Sequence, residues 1–286
     1  MNSPAAQASS PGAGRFATVR RLQRTTSTNT VALAAAAAGA PEGLVVLADE
    51  QTAGRGRLGR SWTAPPGATL LCSVLLRPPD PPDGALAFLL TACLALAARQ
   101  AAAELVAVTL GCKWPNDLLA GQAKVAGILA ERAPDGAVVV GIGCNLNQPA
   151  PGAPGYPPGA ASLEGLAGRP VGREPFLAAL LAGLERRYGA VVDPQPAGRA
   201  ALLAEARGAS ATLGSPVRVE LPGGGRLVGV AVALGDDGRL VVARPDGTEA
   251  VVEAGDVVHL RHGGAPLPRG AAQPQVGGPV EGDRVP

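Results

Sequence analysis

The sequence predicts an α/β (α+β) fold: a mixed sheet with helices, followed by a small C-terminal β-barrel. Apolar runs of strand length alternate with longer Ala- and Leu-rich segments as far as about residue 207. From Leu213 onward the texture changes to short strand-like runs joined by Gly- and Asp-rich turns. The 286 residues suffice for one sizeable domain and one small one. The expected division is 1–14 disordered, 15–212 the main domain, 213–262 the small barrel and 263–286 a disordered Pro/Gly tail.

Taken in order, Phe16 to Leu22 reads as a first strand. The hydroxyl-rich run from Thr25 to Thr30 reads as a turn capping an Ala-rich helix that Gly39 and Pro41 end. Leu44 to Ala48 is a buried strand that delivers Asp49, Glu50 and Gln51 to a basic loop. Thr69 to Leu76 is the next strand, expected to pair with it. Pro78 to Asp83 is a turn, Ala85 to Glu104 a long helix and Leu105 to Cys112 a further strand. A hairpin follows: Lys113-Trp114-Pro115-Asn116-Asp117, a turn at Gly121, then a strand from Lys124 to Glu131, which brings Lys113 and Lys124 into one region.

Ala137 to Asn147 is another buried strand, with glycines at 141 and 143 that signify either a bulge or a close backbone approach. Residues 148–160 form a Pro/Gly loop and Ser162 to Leu166 a short helix. Glu174 to Tyr188 is an amphipathic helix with Phe176, Leu180, Leu181 and Leu184 on one face, and a helix near Ala197 to Arg207 closes the main domain. The barrel strands are 216–220, 226–233, 240–243, 249–253 and 257–260.

Composition removes several classes of function. The net charge of +2 and the 2% aromatic content leave no general basic surface or stacking platform for nucleic acid. The four cysteines have no C-x-x-C spacing and there are two histidines, so a zinc site is not expected. The cysteines lie in apolar runs and read as reduced core residues of a cytoplasmic protein. No basic-then-apolar leader opens the chain, and the run from Ala85 to Ala98 is too short to span a bilayer.

Positive charge is instead local, in Gly54-Arg55-Gly56-Arg57-Leu58-Gly59-Arg60-Ser61-Trp62. Glycines let the backbone approach a ligand, arginine forks match carboxylate and phosphate, and Trp62 offers a ring for stacking. A solvated basic turn has the same composition. The G-x-G-x-x-G spelled by residues 54, 56 and 59 is not a dinucleotide turn, because Thr63-Ala64-Pro65-Pro66-Gly67 follows where a helix is required. No P-loop is present. Ser27, Thr28 and Asn29 are candidates both for the helix cap and for hydrogen bonding to a neutral polar ligand, and either lysine is also readable as a surface charge.

The combination of Ser27-Thr28-Asn29, Gln51 with the GRGRLGRSW loop, KWPND at 113–117, Lys124, and GIGCNLN at 141–147 resembles biotin protein ligase, also called biotin–acetyl-CoA-carboxylase ligase. The resemblance runs in order over about residues 16 to 262. It implies a catalytic domain like that of class II aminoacyl-tRNA synthetases and an SH3-like C-terminal barrel. It implies formation of biotinyl-5′-AMP from biotin and ATP with release of pyrophosphate, then transfer of biotin to one lysine of a biotin carboxyl carrier protein or domain, in acetyl-CoA carboxylase or a related carboxylase.

The resemblance makes Arg57 and Lys124 the catalytic candidates. It gives Ser27, Thr28, Asn29, Gln51, Arg55, Gly56, Arg57, Lys124 and Gly127 to biotin. Arg57, Arg60, Trp62, Lys113, Asn116 and Asn145 go to the nucleotide, with Trp62 over the adenine. Magnesium is implied with ATP, and Asp117 is the metal candidate, its role left open. A loop rich in glycine is expected to order over the adenylate and exclude water.

The chain departs from the family pattern at Leu58, where another basic residue is often found. Only about 26 residues precede Ser27, too few for the winged helix of members that also repress transcription, so a ligase of the monofunctional type, without operator binding, is expected. A homodimer is one assembly the resemblance allows. Lipoate–protein ligase shares the two-step logic, and a non-enzymatic nucleic-acid binder is the alternative of another class. The arginine–glycine loop and KWPND favour biotin over the first, and the charge balance disfavours the second.

Overall fold

The computed structural model describes residues 8–9, 14–79, 84–148 and 159–260. The first part of the chain runs β1 (Ala8–Ser9), β2 (Val19–Thr25), α1 (Thr28–Ala37), β3 (Val45–Gln51), β4 (Gly54–Arg55), a single 3-10 turn (Arg57–Gly59), β5 (Ser61–Trp62) and β6 (Thr69–Leu76). Next come α2 (Gly84–Val106), β7 (Gly111–Lys113), β8 (Asp117–Ala120), β9 (Ala123–Arg132) and β10 (Val138–Asn145). The helices α3 (Leu163–Ala167), α4 (Arg173–Val192) and α5 (Pro196–Gly208) follow. The last five strands are β11 (Pro216–Glu220), β12 (Arg226–Leu234), β13 (Leu240–Ala243), β14 (Glu249–Val252) and β15 (Asp256–His259).

Eight strands form one mixed sheet in the order β1-β2-β3-β6-β10-β9-β8-β7. Among the described strands of this sheet only β2 and β3 pair in parallel, because α1 carries the chain back across the sheet between them. The expected pairing of β3 with β6 is present and antiparallel, so the basic loop is an excursion between neighbours.

Alternation along the strands sorts side chains to two layers. Val45, Leu47, Leu70, Cys72, Val74 and Leu76 enter the main core with α2 and α4. Val46, Leu75 and Val139 face the other way and pack on Ala32 and Ala36 of α1. Small alanines let α1 lie close, and that closeness brings its first turn over the sheet.

Helix α2 runs two residues beyond Glu104 and takes over part of the segment expected to be a strand. Strong helix formers without an internal Gly or Pro carry it to Val106, Ala107 adopts φ 55°, and only Gly111–Lys113 remains as strand. At 23 residues the helix is long and apolar enough to cross a membrane, which corrects the length argument made from residues 85–98. Its most apolar window is 72% buried within the protein, as a core helix requires. The first long strand is Val19–Thr25 rather than 16–22; Phe16 is buried ahead of it. Among the first fourteen residues Ala8–Ser9 pair with β2, and the rest of the disorder expected there and at 263–286 falls outside the described residues, as do 80–83 of the turn and 149–158 of the Pro/Gly loop.

The C-terminal strands form a small antiparallel sheet, ordered β14-β13-β12-β11-β15. It is tied to the larger sheet by specific bonds. Trp114 Nε1 donates to Gly238 O at 3.0 Å, and Trp114 N–H donates to Thr212 Oγ1 at 3.0 Å. Thr212 Oγ1 in turn lies 3.2 Å from His259 Nε2. The Trp114–Pro115 peptide is cis.

Candidate active site

The floor of the site is one face of β9 and β10. In the ladder Gly127 is opposite Gly143, Leu129 opposite Gly141, and Glu131 opposite Val139. The glycines are there because other side chains occupy the space. A Cβ at Gly141 would overlap Asn29 Oδ1, and one at Gly143 would lie 2.6 Å from Trp62 Nε1. A Cβ at Gly127 would come within 3.1 Å of both Trp62 Cζ3 and Lys124 Nζ. Close approach is therefore the role of these glycines, and no bulge interrupts their ladder.

The first turn of α1 makes one wall. Ser27 is its N-cap by backbone conformation, but its side chain makes no cap bond, contrary to the capping role allowed from sequence. Thr28 N–H and Oγ1 donate to Gln51 Oε1 at 2.7 and 3.0 Å. A backbone N–H cannot reverse its polarity, so the Gln51 amide nitrogen is the end turned away from the helix. Ser73 Oγ shares its one proton between Thr28 Oγ1 at 2.7 Å and Asn29 Oδ1 at 2.6 Å. Asn29 Nδ2 donates to Leu129 O at 3.2 Å and to Glu131 Oε2 at 2.7 Å. Asn29 is thus bonded at both ends of its amide by the protein.

The basic loop is a strap, made of a two-strand ribbon and a tight turn. β4 and β5 pair Gly54 with Trp62 and Arg55 with Ser61, and Leu58 at the apex has φ 55° and is exposed. Each arginine has a separate anchor. Arg55 Nη2 donates to both Glu131 carboxylate oxygens at 2.8 Å, and its Nη1 donates to Thr30 Oγ1. Arg57 Nη1 donates to Asn116 Oδ1 at 3.3 Å and to Gly255 O at 3.4 Å. Arg60 pairs with Asp256 at 3.0 Å. Burial lowers the pKa of the Arg57 guanidinium from its ordinary value; Asp256 and Asp117 oppose that shift and Arg60 adds to it. Lys124 Nζ lies 2.7 Å from Asp117 Oδ1 and 5.6 Å from the Trp62 ring centroid.

These walls border an open cleft of about 740 Å³, its solvent side included. Ser27, Thr28, Asn29, Gln51, Arg55, Gly56, Arg57, Arg60, Trp62, Asn116, Asp117, Lys124 and Gly127 all line it. Asn145 does not; it borders an adjoining opening with Trp62 and Lys124, and its amide is bonded to Ala161 O and Gln148 Nε2. Lys113 also stands apart. It ends β7 beside Trp114, outside the cleft, and its charge helps to hold down the pKa of His259 after burial, the larger cause. Asp117 is opposite Lys113 in the β7–β8 ladder and pairs with Lys124, so the two lysines do share a region, but only Lys124 lines the cleft.

Three residues of the site escaped the sequence reading. Glu131 bonds Arg55 and Asn29 together, and its signal was the two-residue spacing from Gly127. Ser73 is the lone polar residue after Thr69 in an otherwise apolar strand, which is itself a signal. Asp256 carries none, since it arrives from the small sheet.

Residues 21–148 match the Biotin/lipoate A/B protein ligase family, and residues 212–260 match the Biotin protein ligase C terminal domain. A biotin–acetyl-CoA-carboxylase ligase of Mycobacterium tuberculosis is 45% identical over 244 residues, 84% of this chain and 88% of that protein. One of Paracoccus denitrificans is 39% identical over 242 residues, 82% of this chain and 97% of that protein. The biotin protein ligase of Aquifex aeolicus, solved in complex with biotin and ATP, superposes with a TM-score of 0.71 at 25% identity, covering 85% of this chain and 98% of that one. A shared first domain leaves biotin and lipoate open; the C-terminal match and the full-length relatives decide between them. The chain belongs to the biotin–acetyl-CoA-carboxylase ligase family.

Proposed function

We propose that this chain activates biotin with ATP and passes the biotinyl group to a lysine of a carboxyl carrier protein or domain. Its fold and family make it an enzyme of the ligase class. The observation that carries the reading is the polarity of the cleft: Ser27, Thr28 and Gln51 at one end, Arg57 and Lys124 at the other.

The polar end suits a ureido ring. Thr28 fixes Gln51 so that its amide nitrogen faces a ligand oxygen, and the Ser27 hydroxyl is uncommitted to the helix. Arg57 and Lys124 suit the carboxylate end. A biotin carboxylate oxygen forms a bond to the α-phosphorus, the bond to the bridging oxygen breaks, and pyrophosphate leaves. Both reactants are anionic, so fixed cations lower their repulsion and stabilise the charge on the transferring phosphoryl group. In the second step a neutral amine forms the C–N bond, the acyl–phosphate C–O bond breaks, and AMP departs with that electron pair; the amine proton passes to solvent. No protein nucleophile is needed.

Magnesium would enter with ATP, held mainly by phosphates, and would supply charge neutralisation there. Among the described residues no group of three metal-binding side chains exists, and Asp117, the nearest candidate, already pairs with Lys124. The donor set thus fits an ion shared with the nucleotide rather than a protein cage. The strap anchored at Arg55, Arg57 and Arg60 is placed to exclude water from the mixed anhydride. We also propose residues 15–212 as the catalytic domain, 213–262 as the C-terminal domain, and a cytoplasmic location, which four free cysteines support.

Incubation with ATP, magnesium and either biotin or lipoate tests the reading. Pyrophosphate should appear with biotin alone, and a carrier domain should then gain one biotinyl group by mass spectrometry. Release with lipoate, or with neither acid, overturns it.

A further inference from the structure

Gln148 follows the last residue of β10 by three positions and is 5% exposed. Its Nε2 donates to Asn145 Oδ1 at 2.8 Å and to Thr69 Oγ1 at 2.9 Å. Its Oε1 is buried and has no hydrogen-bond partner. Asn145 is held from its other end as well, its Nδ2 donating to Ala161 O at 3.1 Å. A carbonyl oxygen only accepts, so one polarity runs through the whole set. The Asn145 nitrogen must face Ala161, its oxygen must face Gln148, and Gln148 must answer with its nitrogen.

Packing alone does not account for a glutamine in this place. A buried acceptor without a partner destabilises the fold, and an apolar side chain of similar length would carry no such oxygen. What the glutamine supplies instead is a pair of N–H groups that fix Asn145 in one orientation. Thr69 and Asn145 are opposite each other in the β6–β10 ladder, so Gln148 clasps both members of its last rung. The preceding residue is anchored too: Asn147 exchanges two bonds with the backbone of Val171, at 2.7 and 2.9 Å.

Asn145 borders the opening of about 560 Å³ beside Trp62 and Lys124. Once bonded to Ala161 and Gln148, its amide retains one N–H and one lone pair on Oδ1. A donor next to an acceptor matches the adenine edge, where N7 accepts and the N6 amine donates. It does not match a base with an oxo group in place of that amine, as in guanine, where both atoms accept. We propose that Gln148 is a positioning residue for the nucleotide: by holding the Asn145 amide in one orientation, it sets the preference for adenine. The inference rests on the ligase reading above, under which the base lies in the opening next to Lys124. Gln148 itself lines neither the cleft nor the opening, so it acts through Asn145.

Two variants test this, with ATP and inosine triphosphate compared in biotin-dependent pyrophosphate release. Inosine carries the oxo group without the extra amine of guanine. Wild type should favour ATP in kcat/KM by about tenfold or more, 1.4 kcal/mol. Gln148→Met removes the N–H groups and the bare oxygen together. It should melt close to wild type and keep its KM for biotin within about twofold, while the preference for ATP falls to about threefold or less. Gln148→Glu keeps the shape and makes the preference depend on pH. Its protonated carboxyl donates one bond to Asn145 and its carboxylate none. The preference should therefore fall as pH rises from about 6 to 9, while that of wild type stays flat. An unchanged preference in both variants overturns the proposal. So does an equal loss of activity with both nucleotides in Gln148→Met, or a wild type that uses them equally. Failure of wild type to release pyrophosphate from ATP with biotin would instead defeat the ligase reading.

Discussion

The indole of Trp62 rests on the bare backbone of Gly143: a methyl group at Gly143 would sit 2.6 Å from the ring nitrogen. Gly143→Ala should therefore lift the ring from the floor. Overpacking of this kind costs about 1–3 kcal/mol. Pyrophosphate release with biotin should drop by about tenfold or more. Unchanged kinetics would show that the ring position has no bearing on activation.

Removing Arg57 or Lys124 tests the cationic end of the cleft. Arg57→Ala and Lys124→Ala should each slow single-turnover adenylate formation by about 100- to 1000-fold, the range for loss of one fixed group facing developing charge. A double variant that forms the adenylate at the normal rate would end the mechanistic proposal.

Glu131→Ala frees both Arg55 and Asn29, so the strap and the first turn of α1 lose their common anchor. The biotin KM should rise by about tenfold, or 1.4 kcal/mol, with a smaller effect on kcat. Glu131→Gln keeps the shape and one acceptor and should fall between. Steady-state rates over a biotin series decide.

His259 ties stability to pH. Its folded pKa lies below the ordinary imidazole value because burial and, secondarily, Lys113 disfavour the cation. Between the folded and unfolded pKa the unfolded chain binds the extra proton, so stability falls as pH drops through the range just below about 6.5 and is restored above it. His259→Asn should flatten that slope in melting temperatures taken from pH 5 to 8. A wild-type slope retained in full by the variant would assign it elsewhere.

Burial pushes the thiols of Cys72 and Cys144 up to about 12 and that of Cys112 to about 11, and raises Cys93 as well. At pH 8 the native protein should react slowly with a disulfide reagent, Cys112 first because it is the least buried of the four. All four should react at once in denaturant.

The sheet and its helices were legible because alternation and helix length are local properties. Thr69–Leu76 and Pro216–Glu220 begin and end where their patterns do. The end of α2 was not, since Leu105 and Val106 suit a strand as well as a helix and packing chose the helix. Within the site, residue types were readable but their partners were not. Asn29 was expected to face a ligand, yet Ser73, Leu129 and Glu131, far away in sequence, take up its amide. Lys113 and Lys124 both neighbour Asp117, as their hairpin implies, yet the cleft receives only Lys124. Long-range pairing is what a local pattern does not encode.

Trp62 and Trp114 are the two tryptophans of the chain, and they stand at different ends of the same cavity system. Each is an intrinsic fluorophore in a distinct setting, the first beside an ammonium and the second donating to a peptide carbonyl. Emission from Trp114→Phe protein would follow loading beside Trp62, and emission from Trp62→Phe protein would follow the junction of the two sheets, where Trp114 donates to Gly238 O. Ligand arrival and movement at that junction would then be timed separately by stopped flow without attaching any dye.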